Sequence, residues 1–119
     1  MASIFSRIIA GEIPCHRVAE TDRAIAFLDI RPLTEGHTLV VPKAEVDSII
    51  DLDSEDYQAV FDLVRAVAEA QKAVVPCTRI GLTVLGFEVP HAHVHVVPLR
   101  SEADLNFAKD PADQGPPPN

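Results

Sequence analysis

No run of apolar residues in this chain is long enough to cross a membrane. The start, Met1–Ala2–Ser3–Ile4–Phe5–Ser6–Arg7, lacks the basic opening, apolar middle and small-residue cleavage site of a secretory signal. A cytoplasmic protein is the expectation, with no membrane among its partners. Basic residues are in deficit, 10 Lys and Arg against 18 Asp and Glu, for a net charge of −8. A broad nucleic-acid footprint needs a basic face, so no nucleic-acid polymer is expected as a partner. The deficit does not exclude a single phosphate, which a local set of donors can hold. Cysteine is scarce. Cys15 and Cys77 are spaced neither as a redox pair nor as a metal clip, and free thiols are expected. There is no phosphate-cradling glycine loop of the P-loop kind, and no internal repeat.

What remains is enough for one domain. The chain has 119 residues, 47% of them hydrophobic, and can bury a core. Ile4, Phe5, Ile8 and Ile9 stand at helical spacing between Ser3 as cap and Gly11 as stop. Cys15 to Ala19 and Ala24 to Asp29 read as strands around a Thr21–Asp22–Arg23 turn, and His37 to Val41 as a further strand closed by Pro42. One long helix is predicted from Asp53 or Ser54 to about Val74, with Ser54 as cap. Its apolar stripe is Tyr57, Val60, Phe61, Val64, Val67 and Ala68. Arg79 to Phe87 and Ala92 to Val97 complete about five strands. The fold class is α+β: an antiparallel sheet with one long and one short helix, the helices against one face. An exposed sheet edge would suit a homodimer. The domain is assigned to residues 1–104. A flexible tail is assigned to 105–119, whose end is Gly115–Pro116–Pro117–Pro118–Asn119.

Three of the five histidines fall in His91–Ala92–His93–Val94–His95. On a strand, side chains alternate between faces. Three imidazoles would line one face, with Ala92, Val94 and Val96 on the other. Spacing alone leaves three readings open. Histidines at i and i+2 can share a metal ion, and three plus water suit catalytic zinc. A neutral imidazole can attack phosphorus while its neighbours donate to phosphoryl oxygens. The row can also be a polar face that meets water or a partner.

Other residues are ambiguous in isolation. Gly86 allows close approach of a ligand or marks a bend. His37, after Gly36, joins the row across the sheet or stays at the surface. Asp29 accepts from ribose hydroxyls or from backbone N–H groups of the next turn. Phe5, Ile8 and Phe27 are base-slot or core residues. Lys43 is a phosphate attractor or a solvated lysine.

Taken together, the chain resembles the histidine triad family, in its nucleotide-binding hydrolase branch. The motif His–x–His–x–His plus two apolar residues stands here as His91–Ala92–His93–Val94–His95–Val96–Val97. Ile4 to Pro14, Ala26–Phe27–Leu28–Asp29–Ile30 and Gly36 to Lys43 resemble the family's other segments, so the likeness spans roughly residues 3 to 100. It implies a homodimer binding a purine nucleoside monophosphate group, without a cofactor. It implies that His93 attacks the α-phosphorus, that His95 donates to phosphoryl oxygen, and that His91 and His37 support the arrangement. Asp29 would take the ribose hydroxyls. Phe5, Ile8, Phe27 and Ile30 would line the base slot. The reaction implied is hydrolysis of a phosphoramidate or phosphoanhydride through a nucleotidyl-histidine intermediate, with retention at phosphorus. Its alternatives are a binding module with weak turnover and a dinucleoside polyphosphate hydrolase.

Two departures from the family pattern stand out. Gly86 is present, but Phe87 and Glu88 replace a glutamine and a serine near the phosphate and leaving group. Phe87 cannot hydrogen-bond a leaving group, and Glu88 brings either acid–base chemistry or repulsion. Some bacterial relatives hold structural zinc with a Cys–x–x–Cys pair and a later histidine. This chain has Ser3–Ile4–Phe5–Ser6 and Glu45 at those positions. Serine is a poor zinc ligand beside thiolate, so no metal is expected.

Overall fold

The computed structural model describes residues 2–108. Helix α1 (Ile4–Ile9) begins where the Ser3 hydroxyl accepts from the Ser6 N–H, and it ends at Ala10 before Gly11, whose φ is 82°. Strands β1 (Arg17–Glu20) and β2 (Ala24–Leu28) form a hairpin closed by Thr21 N–H donating to the Ala24 carbonyl at 2.8 Å. Strand β3 (Thr38–Pro42), helix α2 (Ser54–Val74), and strands β4 (Arg79–Thr83) and β5 (Val94–Leu99) follow. The five strands run in the order β1-β2-β3-β5-β4, every neighbouring pair antiparallel. Short 3-10 turns at Ile49–Asp51 and Glu102–Asp104 were not foreseen from sequence.

Alternation along the strands gives the sheet two unlike faces. Ala24, Ala26, Val40, Val94 and Val96 turn to α2, where Val60, Leu63, Val64 and Val67 cover them. Each fully buried valine of this layer contributes about 1.5–3 kcal/mol of transfer free energy. Ile25, Phe27, Leu39 and Val41 turn the other way and pack on Phe5 and Ile8 of α1. The helices therefore cover opposite faces, not one face as the sequence suggested. α1 is too short to form alone, and its apolar pair gives the second face a partial cover.

Several boundaries moved. The long helix is capped by Asp53, which accepts from Asp56 N–H at 2.8 Å, and Ser54 is its first residue. Tyr57 is exposed and packs against Phe61, at 4.9 Å between ring centroids, instead of joining the buried stripe. Leu63 and Gln71 join that stripe. Gln71 was missed because it is polar. Its amide donates to the carbonyls of Gly36 (2.8 Å) and Val96 (2.9 Å), tying α2 to β3 and β5. β4 stops at Thr83, ahead of a turn at Gly86 with φ 79°. β5 starts at Val94, because the Ala92 N–H is spent on the Val46 carbonyl at 2.7 Å. His91 and His93 thus precede the ladder, and only His95 lies within it.

No helix among the described residues is long and apolar enough to cross a membrane. Cys15 and Cys77 are free. Of the stretch assigned to a tail, Leu105 packs on the cluster of Leu33, Val97 and Leu99. Phe107 lies edge-on to His95, at 5.1 Å between ring centroids. Residues 109–119, with the proline-rich end, lie outside the described residues.

Candidate active site

The row of imidazoles does not meet water as a polar surface. His37 and His91 are 0% exposed, His93 6% and His95 7%. Buried imidazoles must have their nitrogens partnered, and the partners fix where each proton sits.

Strand register brings His95 beside Leu39 on β3 and Thr83 on β4. His37, just ahead of β3, accepts at Nδ1 from the Leu33 N–H at 2.9 Å. Its proton therefore sits on Nε2, which donates to His95 Nδ1 at 2.9 Å. That leaves the His95 proton on Nε2. His93 is set the opposite way. Its Nδ1 lies 2.8 Å from the His91 carbonyl, which can only accept. The proton is on Nδ1, and Nε2 keeps its lone pair. Desolvation first, then the neighbouring His37 and His93 rings, push the His95 pKa down from 6.5 to about 4 against an opposing pull from Asp29, and hold the ring neutral. Burial also lowers His91.

His93 and His95 line a cavity of about 420 Å³ on the α1 face of the sheet. Phe5, Ile8, Phe27 and Leu39 form its apolar floor, and Asp29, Ile30, Gly86 and Glu88 stand around it. Phe5 sets its edge against His93 with ring centroids 5.0 Å apart. Asp29 takes the turn role weighed for it and also faces the histidines. One carboxylate oxygen accepts from the Arg31 N–H at 2.9 Å, as in a local turn. The other lies 3.5 Å from His37 Nε2 and 4.0 Å from His95 Nδ1.

Asp29, His37 and His95 bring three ligand-type atoms within 4.8 Å of one another. The tautomers count against a metal there. His37 Nε2 holds its proton because Nδ1 accepts from backbone, and His95 Nδ1 takes that proton's hydrogen bond. A cation would have to strip a neutral imidazole of its remaining proton.

The HIT domain pattern matches residues 10–102. The chain belongs to the HIT domain family. Within it, the chain falls broadly in the nucleotide-binding hydrolase branch. It is 36% identical over 107 residues to an adenosine 5'-monophosphoramidase of Schizosaccharomyces pombe, covering 86% of this chain and 77% of the relative. The protein hit of Bacillus subtilis is 36% identical over 108 residues, covering 85% and 73%. Among solved structures, a HIT family protein of Bacillus anthracis superposes with a TM-score of 0.81 at 36% identity, over 93% of this chain and 82% of that one. A Zn-bound histidine triad family protein of Mycobacterium smegmatis does so at 0.80 and 30% identity, over 94% and 85%.

The fold of this HIT domain gathers His37, His91, His93, His95, Asp29, Phe5, Ile8 and Phe27 around one face. Ile30 is at the rim and 75% exposed. Gly86 makes a turn into open space, with no atom within 4 Å of where a side chain would begin. Lys43 pairs with Glu20 at 2.7 Å instead of facing the cavity. Sequence reasoning missed Phe107 and the backbone partners at Leu33 and Pro42. A backbone carbonyl or N–H leaves no signature in side-chain identity. Phe107 sat in a stretch read as tail.

Proposed function

We propose that this HIT domain protein hydrolyses phosphoramidate or phosphoanhydride bonds of purine nucleoside monophosphate derivatives. The observation that supports it most is the opposed protonation of two adjacent imidazoles at one cavity. The His93 Nε2 lone pair attacks the α-phosphorus, and the bond from phosphorus to the leaving group breaks, its electron pair going to the leaving amine or phosphate, which takes a proton from solvent. His95 Nε2–H donates to a non-bridging oxygen as charge builds there. Water then attacks phosphorus and releases a proton to solvent, the bond to Nε2 breaks with its electron pair returning to the ring, and the nucleoside monophosphate leaves. Two displacements give net retention. His91 supplies the carbonyl that fixes the His93 tautomer, and His37 fixes that of His95.

The base lies among Phe5, Ile8, Phe27 and Ile30, and the ribose hydroxyls bond to Asp29, a carboxylate in the lining of the same cavity. Gly86 and Glu88 flank the leaving group. Adenosine monophosphoramidase activity, named for the fission yeast relative, belongs to the same substrate class. We read the working form as a cytoplasmic homodimer. The exposed apolar residues on and after the β4 edge, Leu82, Val84, Leu85 and Phe87, support that reading. Sedimentation at micromolar concentration tests it.

A nucleotide-binding module with weak turnover is the second reading. Its support is Phe87, 92% exposed at the place where a polar contact to the leaving group is wanted. Metal-free protein and a His93→Ala variant, incubated with adenosine and guanosine phosphoramidates and a dinucleoside polyphosphate, separate the readings. Phosphoramidate cleavage lost in His93→Ala, with nucleotide binding retained, is the expected result. Full turnover in that variant would refute the nucleophile. Binding without cleavage by the native chain would favour the module.

A further inference from the structure

The far side of the triad carries a second polar cluster. Glu45 Oε1 accepts from the Ser3 N–H at 2.7 Å and from the Ser6 hydroxyl at 2.6 Å. The Ser3 hydroxyl accepts from the Ser6 N–H at 3.0 Å and lies 2.7 Å from His91 Nδ1. His91 Nε2 donates to the Pro42 carbonyl at 2.7 Å, so its Nδ1 is bare and the Ser3 hydroxyl must donate to it. Each partner's role is thus determined. The cluster ties three separate pieces together: the start of α1, the end of β3 with the turn after it, and the entry to β5.

The family resemblance implies that Ser3, Ser6 and Glu45 stand where some bacterial relatives would carry structural-zinc ligands. The donors here do not fit zinc. Both hydroxyl protons are in use, and both His91 nitrogens are engaged. Glu45 alone offers a ready anionic atom. The cluster does a different job. α1 spans six residues and cannot hold itself as a helix. It nevertheless carries Phe5, whose edge meets His93 at 5.0 Å and His91 at 5.8 Å.

We infer that Glu45 and Ser3 are positioning residues, a metal-free clasp that fastens α1 to His91 and thereby sets Phe5 and the His91–His93 segment for the nucleotide. Glu45 acts from the surface, through the helix start. Ser3 acts on the ring itself. The kinetic part of this inference rests on the hydrolase reading above.

The test compares the native chain with Glu45→Ala, Glu45→Gln and Ser3→Gly, well below melting. Imidazole 15N resonances of His91 and His93, AMP affinity, and kcat and KM for adenosine phosphoramidate are measured. Glu45→Ala should move both rings' resonances, weaken AMP binding at least fivefold and lower kcat/KM at least tenfold. Glu45→Gln should recover kcat/KM to within threefold, because a carboxamide oxygen accepts from the same two donors. Ser3→Gly keeps an acceptable helix start. It should still move the His91 Nδ1 resonance and lower kcat/KM, and it carries the test if Glu45→Ala does not fold. Native resonances, affinity and kcat/KM in folded Glu45→Ala, or glutamine no better than alanine, would overturn the clasp. Absence of native turnover would sink the hydrolase reading instead, and the imidazole resonances would then decide the clasp.

Discussion

The rings of His93 and His95 stand 5.1 Å apart, centroid to centroid, and carry their protons on opposite nitrogens. One presents a lone pair at Nε2, the other an N–H. Neither state is set by the pair itself. The His91 carbonyl fixes the first, and the Leu33 N–H, acting through His37, fixes the second.

Replacing His37 should expose that relay. His37→Leu leaves the buried Leu33 N–H and His95 Nδ1 without their partner, at about 1–3 kcal/mol for the unpaired groups. The His95 proton is then free to move to Nδ1, away from the phosphate. We expect kcat to fall by about 100-fold, the size of one lost transition-state donor, with AMP affinity nearly unchanged. Steady-state kinetics with calorimetric AMP titration check this. An unchanged kcat would break the link between Leu33 and the His95 tautomer.

Acid should destabilise the fold earlier than carboxylates alone would. Folded His95 titrates at about 4 and unfolded histidine at 6.5, so between those values the unfolded chain binds the extra proton. The stability held above pH 6.5 is lost as pH falls toward 4. His95 alone accounts for roughly 3 kcal/mol, and the lowered His91 acts in the same direction. Melting temperature should drop between pH 7 and pH 4.5, and the drop should shrink in His95→Asn. An equal drop in that variant would place the acid sensitivity elsewhere.

Gly36 leads directly into His37 and has φ 90°, and a Cβ there would meet Val75 Cγ2 at 3.1 Å. Gly36→Ala should cost about 1–3 kcal/mol from backbone strain, plus the crowding against Val75. Gly11→Ala shares the positive φ, 82°, but meets no atom within 4 Å. Its loss should be smaller, and thermal unfolding of the two variants measures the contact. Equal losses would mean that Val75 yields freely.

Chelation should leave the protein folded and active. Hydroxyls and a doubly engaged imidazole make the Ser3, Ser6, Glu45 and His91 cluster a weak zinc host. After exhaustive dialysis against a chelator, metal analysis should find zinc far below one per chain, with unchanged melting. Zinc retained at one per chain would contradict the clasp's hydrogen-bond assignment.

Much of this was legible in the residues. Alternation in His91–His95 put the imidazoles on one face and Val94 and Val96 on the other, where they now pack under α2. The stripe of Val60, Val64 and Val67 located the long helix. What misled was context. Tyr57 had the right spacing yet remains exposed, while polar Gln71 is buried because three acceptors wait for its amide. Ala92 and His93 read as strand, but a long-range bond from Ala92 to Val46 keeps that segment out of the ladder.

By itself, the sequence determined the alternation of the sheet, the long helix and the crowding of imidazoles on one face, because these follow from periods of two and 3.6 residues in local side-chain chemistry. Tertiary structure alone decided that α1 closes the opposite face, that Phe107 reaches His95, and which nitrogen of each histidine holds its proton. Those outcomes depend on backbone carbonyls and N–H groups brought close from distant parts of the chain, and such groups are the same at nearly every position until folding selects their partners.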